Sequence, residues 1–351
     1  MSPTSLRLRF LQASNTHIAK TFSVLLVLAL FPTSLTAATL LLVTGSGEGQ
    51  PSLVRIYQQG ISATPSAISF QPYRSSFRGG VRVAVGDING DGLPEVITAP
   101  GPGMEPLIQV FNGNTGKRLP GPIGSFLALP GNFRGGLFVA AGDVNGDGKE
   151  DIIVGPDTGM LPIVRVFDGT TGNTLRSFFA YSPGFLGGVR VASGDVNGDG
   201  VADIITGAGP GAGPHVKVFN GATFATHKSF FAESANFAGG VYVAAGDVNG
   251  DGKADIIVGA GPGGGPHVKV FDAVSTQVLP SFFAFDTGFN GGVRVAMGDV
   301  NGDGKLDIIN GTGPGGGPHV IVYDSQTRQV LHSFFAYDAS FQGGVFVAGN
   351  N

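Results

Sequence analysis

A nine-residue pattern of oxygen-bearing side chains, D-x-N-x-D-G-x-x-D, occurs four times in this chain of 351 residues. Its members are Asp143, Asn145, Asp147 and Asp151; Asp195, Asn197, Asp199 and Asp203; Asp247, Asn249, Asp251 and Asp255; and Asp299, Asn301, Asp303 and Asp307. A fifth copy, Asp87, Asn89, Asp91 and Glu95, ends in glutamate. In such a loop the oxygens at alternate positions point inward, and the glycine at position six permits the sharp turn. The carbonyl of position seven faces the same centre and the last carboxylate closes the shell. Hard oxygen donors in this pattern suit Ca²⁺, with ligand distances of about 2.3–2.6 Å, better than Mg²⁺ with its stricter octahedron and retained water. Fifteen of the 25 acidic residues occupy these motif positions, three per loop, and without a cation their repulsion would burden the folded state. The plainer reading, Asn-Gly and Asp-Gly hairpin turns, leaves the final acidic residue unexplained. An EF-hand is excluded because strands flank the loop and the glutamate at position twelve is missing. The expectation is about five calcium sites.

Two other recurring groups have chemical potential. His215, His267 and His319 each follow a Gly-Pro turn, in three consecutive repeats, where the other repeats carry Leu53, Leu107 and Ile163. Aliphatic residues at the equivalent places favour a half-buried strand start; the sharper reading is a ligand-facing ring of histidines. A shared metal ion does not suit histidines on separate repeats, and the GPGGGP turn lacks the following helix that a phosphate loop needs. The pair Phe-Phe recurs at Phe178–Phe179, Phe230–Phe231, Phe282–Phe283 and Phe334–Phe335. Neighbours on a strand face opposite ways, so core filling on both sides is expected in preference to a sugar platform, and the chain has no tryptophan. Every clustered carboxylate belongs to the loops, no nucleophile constellation stands out, and the chain reads as a binding protein and not an enzyme.

The elements that must hold these loops repeat with them. The first aspartates, Asp87, Asp143, Asp195, Asp247 and Asp299, are spaced by 56, 52, 52 and 52 residues. Each repeat contains four short β patterns separated by Gly, Pro and Asn clusters: VYVA, DIIVG, HVKVF and VLPSFFAF from Val241 onward. A four-stranded unit repeated at about this length is a propeller blade, which buries its faces only by stacking around an axis. The segment after the loop occurs six times, from Gly45, Ala99, Gly155, Gly207, Gly259 and Gly311, and the Gly-Gly segment also six times, the last at Gly343. The sequence therefore predicts an all-β, six-bladed β-propeller of four-stranded blades, with a closing blade made from both termini and removing the free sheet edges. That blade should lack a calcium loop, since Asn351 stands where its first aspartate would be. The variable residue of the Gly-Gly segment reads Arg82, Phe138, Arg190, Tyr242, Arg294, Phe346, an alternation that closes only around an even ring. On the innermost strand each arginine could stack on its neighbours, at about 0.5–2 kcal/mol per contact; drift within a duplicated two-blade unit is the plainer account.

Composition bounds the setting. Charged residues are 13% of the chain, the net charge is −4 and no long basic run occurs, which argues against nucleic acid as a partner. There is no cysteine, so packing or metal ions must stabilise the fold. Residues 1–37 have a basic start (Arg7, Arg9, Lys20), an apolar run from Phe22 to Phe31 and small residues around Ala37, the order of a secretory signal peptide. The run is too short for the about 20 residues that a membrane helix needs. The expected organisation is a signal peptide over 1–37 and a single propeller over 38–351, secreted, periplasmic or at the cell surface, without a membrane span once the signal is removed, and monomeric.

The GDVNGDGxxD loops, the Phe-x-Gly-Gly segments and the Gly-Pro turns resemble FG-GAP repeats, also called VCBS-type repeats, the calcium-loop blades of integrin α-chain propellers and of many bacterial surface proteins. The resemblance runs through essentially all of residues 38–351. It implies calcium between the first and second strands of each blade, held by the five sets above, in which Asn at the third position and Glu95 at the last are modest departures. It also implies an extracellular protein or glycan as partner, through adhesion, with lectin-like carbohydrate binding as the alternative and a polysaccharide- or ester-processing enzyme further off. A resemblance of this kind speaks for the fold more firmly than for the activity.

Overall fold

The inner-strand segments are rich in Val and Ala, and the first five end in Gly-Asp, so each of these runs as a strand and then turns sharply into its acidic loop. In the computed structural model, which describes residues 41–58 and 68–350, blade 4 shows the result. Its strands are Val241–Gly246, Asp255–Ala260, His267–Phe271 and Val278–Phe283, antiparallel throughout. Six four-stranded sheets of this kind make a six-bladed β-propeller, and among the described residues only the 3₁₀ turn Pro122–Gly124 adds helical structure. The signal segment expected over 1–37 lies outside the described residues. No helix among the described residues is long and apolar enough to cross a membrane.

The innermost strands are Val81–Gly86, Leu137–Gly142, Val189–Gly194, Val241–Gly246, Val293–Gly298 and Val345–Gly349, of blades 1 to 6 in turn. The sixth blade is the predicted composite. Val345–Gly349 pairs antiparallel with Leu41–Ser46, with Thr44 opposite Val347, and the sheet continues through Val54–Gln58 and Ile68–Phe70. The 56-residue step has its origin in blade 1, where a longer connection joins Asn112 to a short outer strand, Ser125–Leu127.

Burial falls from axis to rim. The second strands are buried throughout, with Ile152, Ile153, Ile204, Ile205, Ile256 and Ile257 fully enclosed, whereas outer strands alternate between exposed and half-buried. Glycine in the second strand permits close approach of the next blade. A Cβ on Gly155 would lie 2.3 Å from the Val189 carbonyl oxygen, and one on Gly207 2.7 Å from that of Val241.

Aromatic pairs join the blades farther out. The first ring of each Phe-Phe pair packs on an aromatic of the next blade: Phe178 on Phe219, Phe230 on Phe271, Phe282 on Tyr323 and Phe334 on Tyr57, with centroids 4.8–5.1 Å apart. Phe126 on Phe167 and Phe70 on Phe111 complete the six interfaces. Such pairs contribute about 0.5–1.5 kcal/mol each beyond their buried area. A cation on the third strand adds a clamp to the preceding blade. Arg55, Arg165, Lys217 and Lys269 donate to the carbonyls of Ala336, Ala128, Ala180 and Ala232, at 2.6, 3.1, 2.9 and 3.0 Å.

Candidate functional site

The five acidic loops join the first and second strands of blades 1 to 5, and all lie at one end of the ring. They fold alike. In blade 3, one oxygen of Asp195 accepts the amides of Gly198 and Asp199 at 2.6 and 3.1 Å, and its other oxygen accepts that of Gly200 at 2.8 Å. Asp87, Asp143, Asp247 and Asp299 are held by the same three amides of their own loops. The glycine at position six has φ between +80° and +85° in every loop, and a Cβ at Gly200 or Gly252 would meet no atom within 4 Å, so backbone conformation and not space requires it. The fifth-position aspartates accept the amide of position seven, as Asp199 does from Val201 at 2.9 Å.

The ninth position differs from the rest of the loop. Glu95, Asp151, Asp203, Asp255 and Asp307 begin the second strands and are at most 1% exposed. Each accepts the amide of loop position two, from Ile88, Val144, Val196, Val248 and Val300, at 3.0–3.1 Å. Asp151, Asp203 and Asp255 also accept an amide from the turn between third and fourth strands, that of Gly169, Gly221 or Ala273. The sequence pattern assigned these carboxylates one task, closing an ion shell; they also tie the inner hairpin of a blade to its outer one. Burial pushes Glu95 up to about 7, helped by Asp91, and burial pushes Asp151 and Asp307 up to about 6; Asp203 and Asp255 rise for the same reason. Neighbouring loops are joined as well. The amides of Glu150, Ala202 and Ala254 donate to the carbonyls of Asp87, Asp143 and Asp195 in the preceding loop, at 2.8–3.0 Å.

Among the described residues no three histidine, cysteine or carboxylate side chains converge as a metal-holding group. The loop oxygens are turned to the loop's own amides. Their chemistry nonetheless fits a hard cation. A carboxylate oxygen has two lone pairs, so the second oxygen of Asp195, with one amide bond, keeps one free. Between the fifth and ninth carboxylates of blade 3 sit the positive ends of two side-chain amides. Asn197 Nδ2 is 3.0 Å from Asp199 and 3.2 Å from Asp203, and Asn220 Nδ2 is 3.2 and 3.3 Å from the same pair. These N–H donors stand in for the positive charge that the pair attracts.

The Gly-Pro turns lie at the opposite end of the ring. His215, His267 and His319 are half-buried at strand starts, each also in contact with the preceding blade, through Tyr181, Glu233 and Phe285. Each Nε2 is bonded to a serine, Ser229, Ser281 or Ser333, at 2.7–2.9 Å, and each ring lies against a phenylalanine, Phe231, Phe283 or Phe335, at 4.9–5.0 Å. Burial lowers the pKa of His215, with Lys217 adding to it, and that of His319. His267 instead pairs through Nδ1 with Glu233 at 2.8 Å. The second ring of each Phe-Phe pair corrects the core-filling expectation: Phe179, Phe231, Phe283 and Phe335 are 49–52% exposed. Strand alternation could have foretold this, because the outer strand has a blade on only part of its surface.

The Arg–aromatic alternation is a physical ring on the axis at this same end. Arg82 lies over Phe138 and Phe346 at 5.3 and 4.9 Å, Arg190 over Phe138 and Tyr242 at 5.2 and 5.1 Å, and Arg294 over Phe346 at 3.6 Å. Two acidic residues missed by the sequence reading approach it. Asp157 binds Arg82 at 2.8 Å and Glu48 stands 3.8 Å from the same guanidinium. The signal was available, since Asp157 and Glu48 interrupt the glycine-proline turn that the other blades share.

Residues 79–117, 187–226 and 239–274 match the FG-GAP repeat, and residues 143–206 match the FG-GAP-like repeat. Among solved structures, a protein of unknown function from Bacteroides caccae is similar with a TM-score of 0.53 at 12% identity, over 88% of this chain and 98% of that one. A rhamnogalacturonan lyase, YesW, aligns with a TM-score of 0.44 at 16% identity, over 82% of this chain. A rhamnogalacturonan lyase from Bacillus licheniformis aligns with a TM-score of 0.44 at 15% identity, over 85% of this chain. The chain spans 60% and 64% of the lengths of these two lyases. The chain is a six-bladed β-propeller that carries FG-GAP repeats.

Proposed function

We propose that this propeller is an exported calcium-binding scaffold whose opposite face recognises an extracellular protein or glycan. The observation that carries the calcium part is the buried ninth-position carboxylate, repeated in five loops beside exposed aspartates of the same loop. Positions one, three, five and nine, with the carbonyl of position seven, would hold the ion. Calcium supplies, when bound, the charge that lets these carboxylates share a loop. The loops then stiffen one end of the ring, and the amide links between them carry that order from blade to blade. Melting of the purified chain with calcium and with a chelator tests this. Each site should add about 2.7 kcal/mol at a calcium concentration one hundred times its Kd, so a large rise in Tm is expected. Equal melting in both conditions would reduce the loops to plain turns.

A lectin-like reading has its own support. Four exposed phenylalanines, three of them backed by a serine-bonded histidine, recur around the rim at the end away from the loops, and an aromatic face of that kind suits the apolar side of a sugar ring. Glycan-array signal lost in Phe283→Ala and His267→Ala would support it; binding that survives both changes would remove the rim from the recognition surface. Turnover of a polysaccharide or ester by the pure chain would overturn the non-enzymatic reading.

A further inference from the structure

Three guanidinium groups share the axis of this propeller, and their charge is unevenly answered. Arg82, Arg190 and Arg294 are only 5–6% exposed. Arg82 has Asp157 at 2.8 Å, Glu48 nearby and the carbonyl of Gly79 at 3.1 Å. Among the described residues, neither Arg190 nor Arg294 has a carboxylate within 4 Å. The flanking rings do not make up the difference. An aromatic face attracts a cation broadly, but it leaves the donors in the guanidinium plane without acceptors. The Nε of all three arginines and Nη1 of Arg190 are buried and unpartnered, while Arg294 Nη1 reaches the carbonyl of Thr312 at 3.3 Å. Enclosing such charges without a close counter-charge is costly; Glu48 acts on Arg294 only from beyond 4 Å, and Arg190 has no ion pair among the described residues.

Space and potential point the same way. A cavity of about 60 Å³ is bounded by the three arginines, Phe138, Tyr242 and Phe346, more than the roughly 10–15 Å³ that one water needs. A second cavity, of about 470 Å³, also reaches Arg294, between Glu48, Pro314 and Phe341. Burial pushes the Tyr242 phenol up, but Arg294 and Arg190 beside it outweigh burial, and its net shift is downward.

We propose that the Arg190–Tyr242–Arg294 side of the axial ring binds a small oxyanion, a carboxylate, phosphate or sulfate group. The planar donor fork of arginine matches the paired oxygens of such groups; with Nε and Nη1 of Arg190 and Nε of Arg294 enclosed and Arg294 Nη1 on the Thr312 carbonyl, the Nη2 group of each is the donor left to face the cavity. Asp157 is the internal competitor. It already occupies Arg82, which confines the seat to the other two arginines. The site lies at the opposite end of the ring from the acidic loops and does not depend on their being loaded.

Calorimetric titration of the full chain with acetate, inorganic phosphate and sulfate, each at constant ionic strength against chloride, tests the proposal. Saturable one-to-one binding of at least one of the three is expected, and which of them binds separates a carboxylate seat from a tetrahedral one. Arg190→Gln and Arg294→Gln should each weaken that binding at least tenfold. Asp157→Asn should strengthen it severalfold, because it lifts the negative charge beside Arg82, and loss of stability cannot imitate a gain of affinity. If either arginine variant fails to fold, Asp157→Asn decides. Heats equal to those of chloride, unchanged affinity in folded arginine variants, or unchanged or weakened affinity in Asp157→Asn would each overturn the site.

Discussion

The two ends of this propeller follow opposite rules. At the loop end five blades repeat almost atom for atom, down to the amides that hold each first aspartate and the valine or isoleucine amide on each ninth carboxylate. At the other end the repeat breaks. Histidine appears in three blades only, Glu233 pairs with His267 and Lys269 in a single interface, and Glu48 and Asp157 interrupt otherwise uniform turns. Repetition is what a structural brace needs, since every interface faces the same mechanical problem. A ligand is not sixfold, and a surface that recognises one has reason to depart from the repeat.

That contrast can be broken by substitution. The largest effect should come from Asp203→Ala, which orphans the buried amides of Val196 and Gly221; a loss of about 3 kcal/mol, even without calcium, is expected from two such donors. The fall of the urea midpoint at unchanged m-value measures it. Asp199→Ala, on the exposed side of the same loop, should cost under about 1 kcal/mol in chelator yet remove that loop's calcium increment. Equal costs for the two variants would show that the loop has one function and not two. At the closing interface Tyr337 donates to the Leu53 carbonyl at 2.8 Å and meets Thr44 at 3.1 Å. Tyr337→Phe should lose about 1 kcal/mol, the usual net value of a buried hydrogen bond, read as a shift of Tm. The smallest effect belongs to the far rim: Phe231→Ala should change stability by no more than about 0.5 kcal/mol, as surface positions do. A loss above about 2 kcal/mol by the same urea titration, the scale of a core truncation, would make that ring part of the core and would erase the difference between the ends.

The sequence carried the architecture unusually far, for a physical reason. A blade cannot exist alone, so its spacing, its turn residues and the split copy at the termini all had to be compatible with one closed ring, and 52-residue periodicity left no other count. The Arg82-to-Phe346 alternation was legible for the same reason, because inner-strand residues meet their counterparts on the neighbouring blades. What stayed hidden were contacts between positions that the repeat does not pair in sequence. The double bond of Asp203 to Val196 and Gly221 spans 7 and 18 residues, and the Lys217 clamp on Ala180 spans 37. Side-chain exposure at the rim was hidden too, since Phe230 and Phe231 are the same residue type and only strand facing separates the buried ring from the open one.

The pairing that closes the ring also fixes where the ends of the described chain lie. Leu42 lies opposite Gly349, so the first and last strands leave their shared sheet at the same end, beside the acidic loops. Both ends of the described chain, Leu41 and Asn350, therefore lie at the loop end. The axial arginines and the exposed phenylalanines lie at the opposite end of the ring from both.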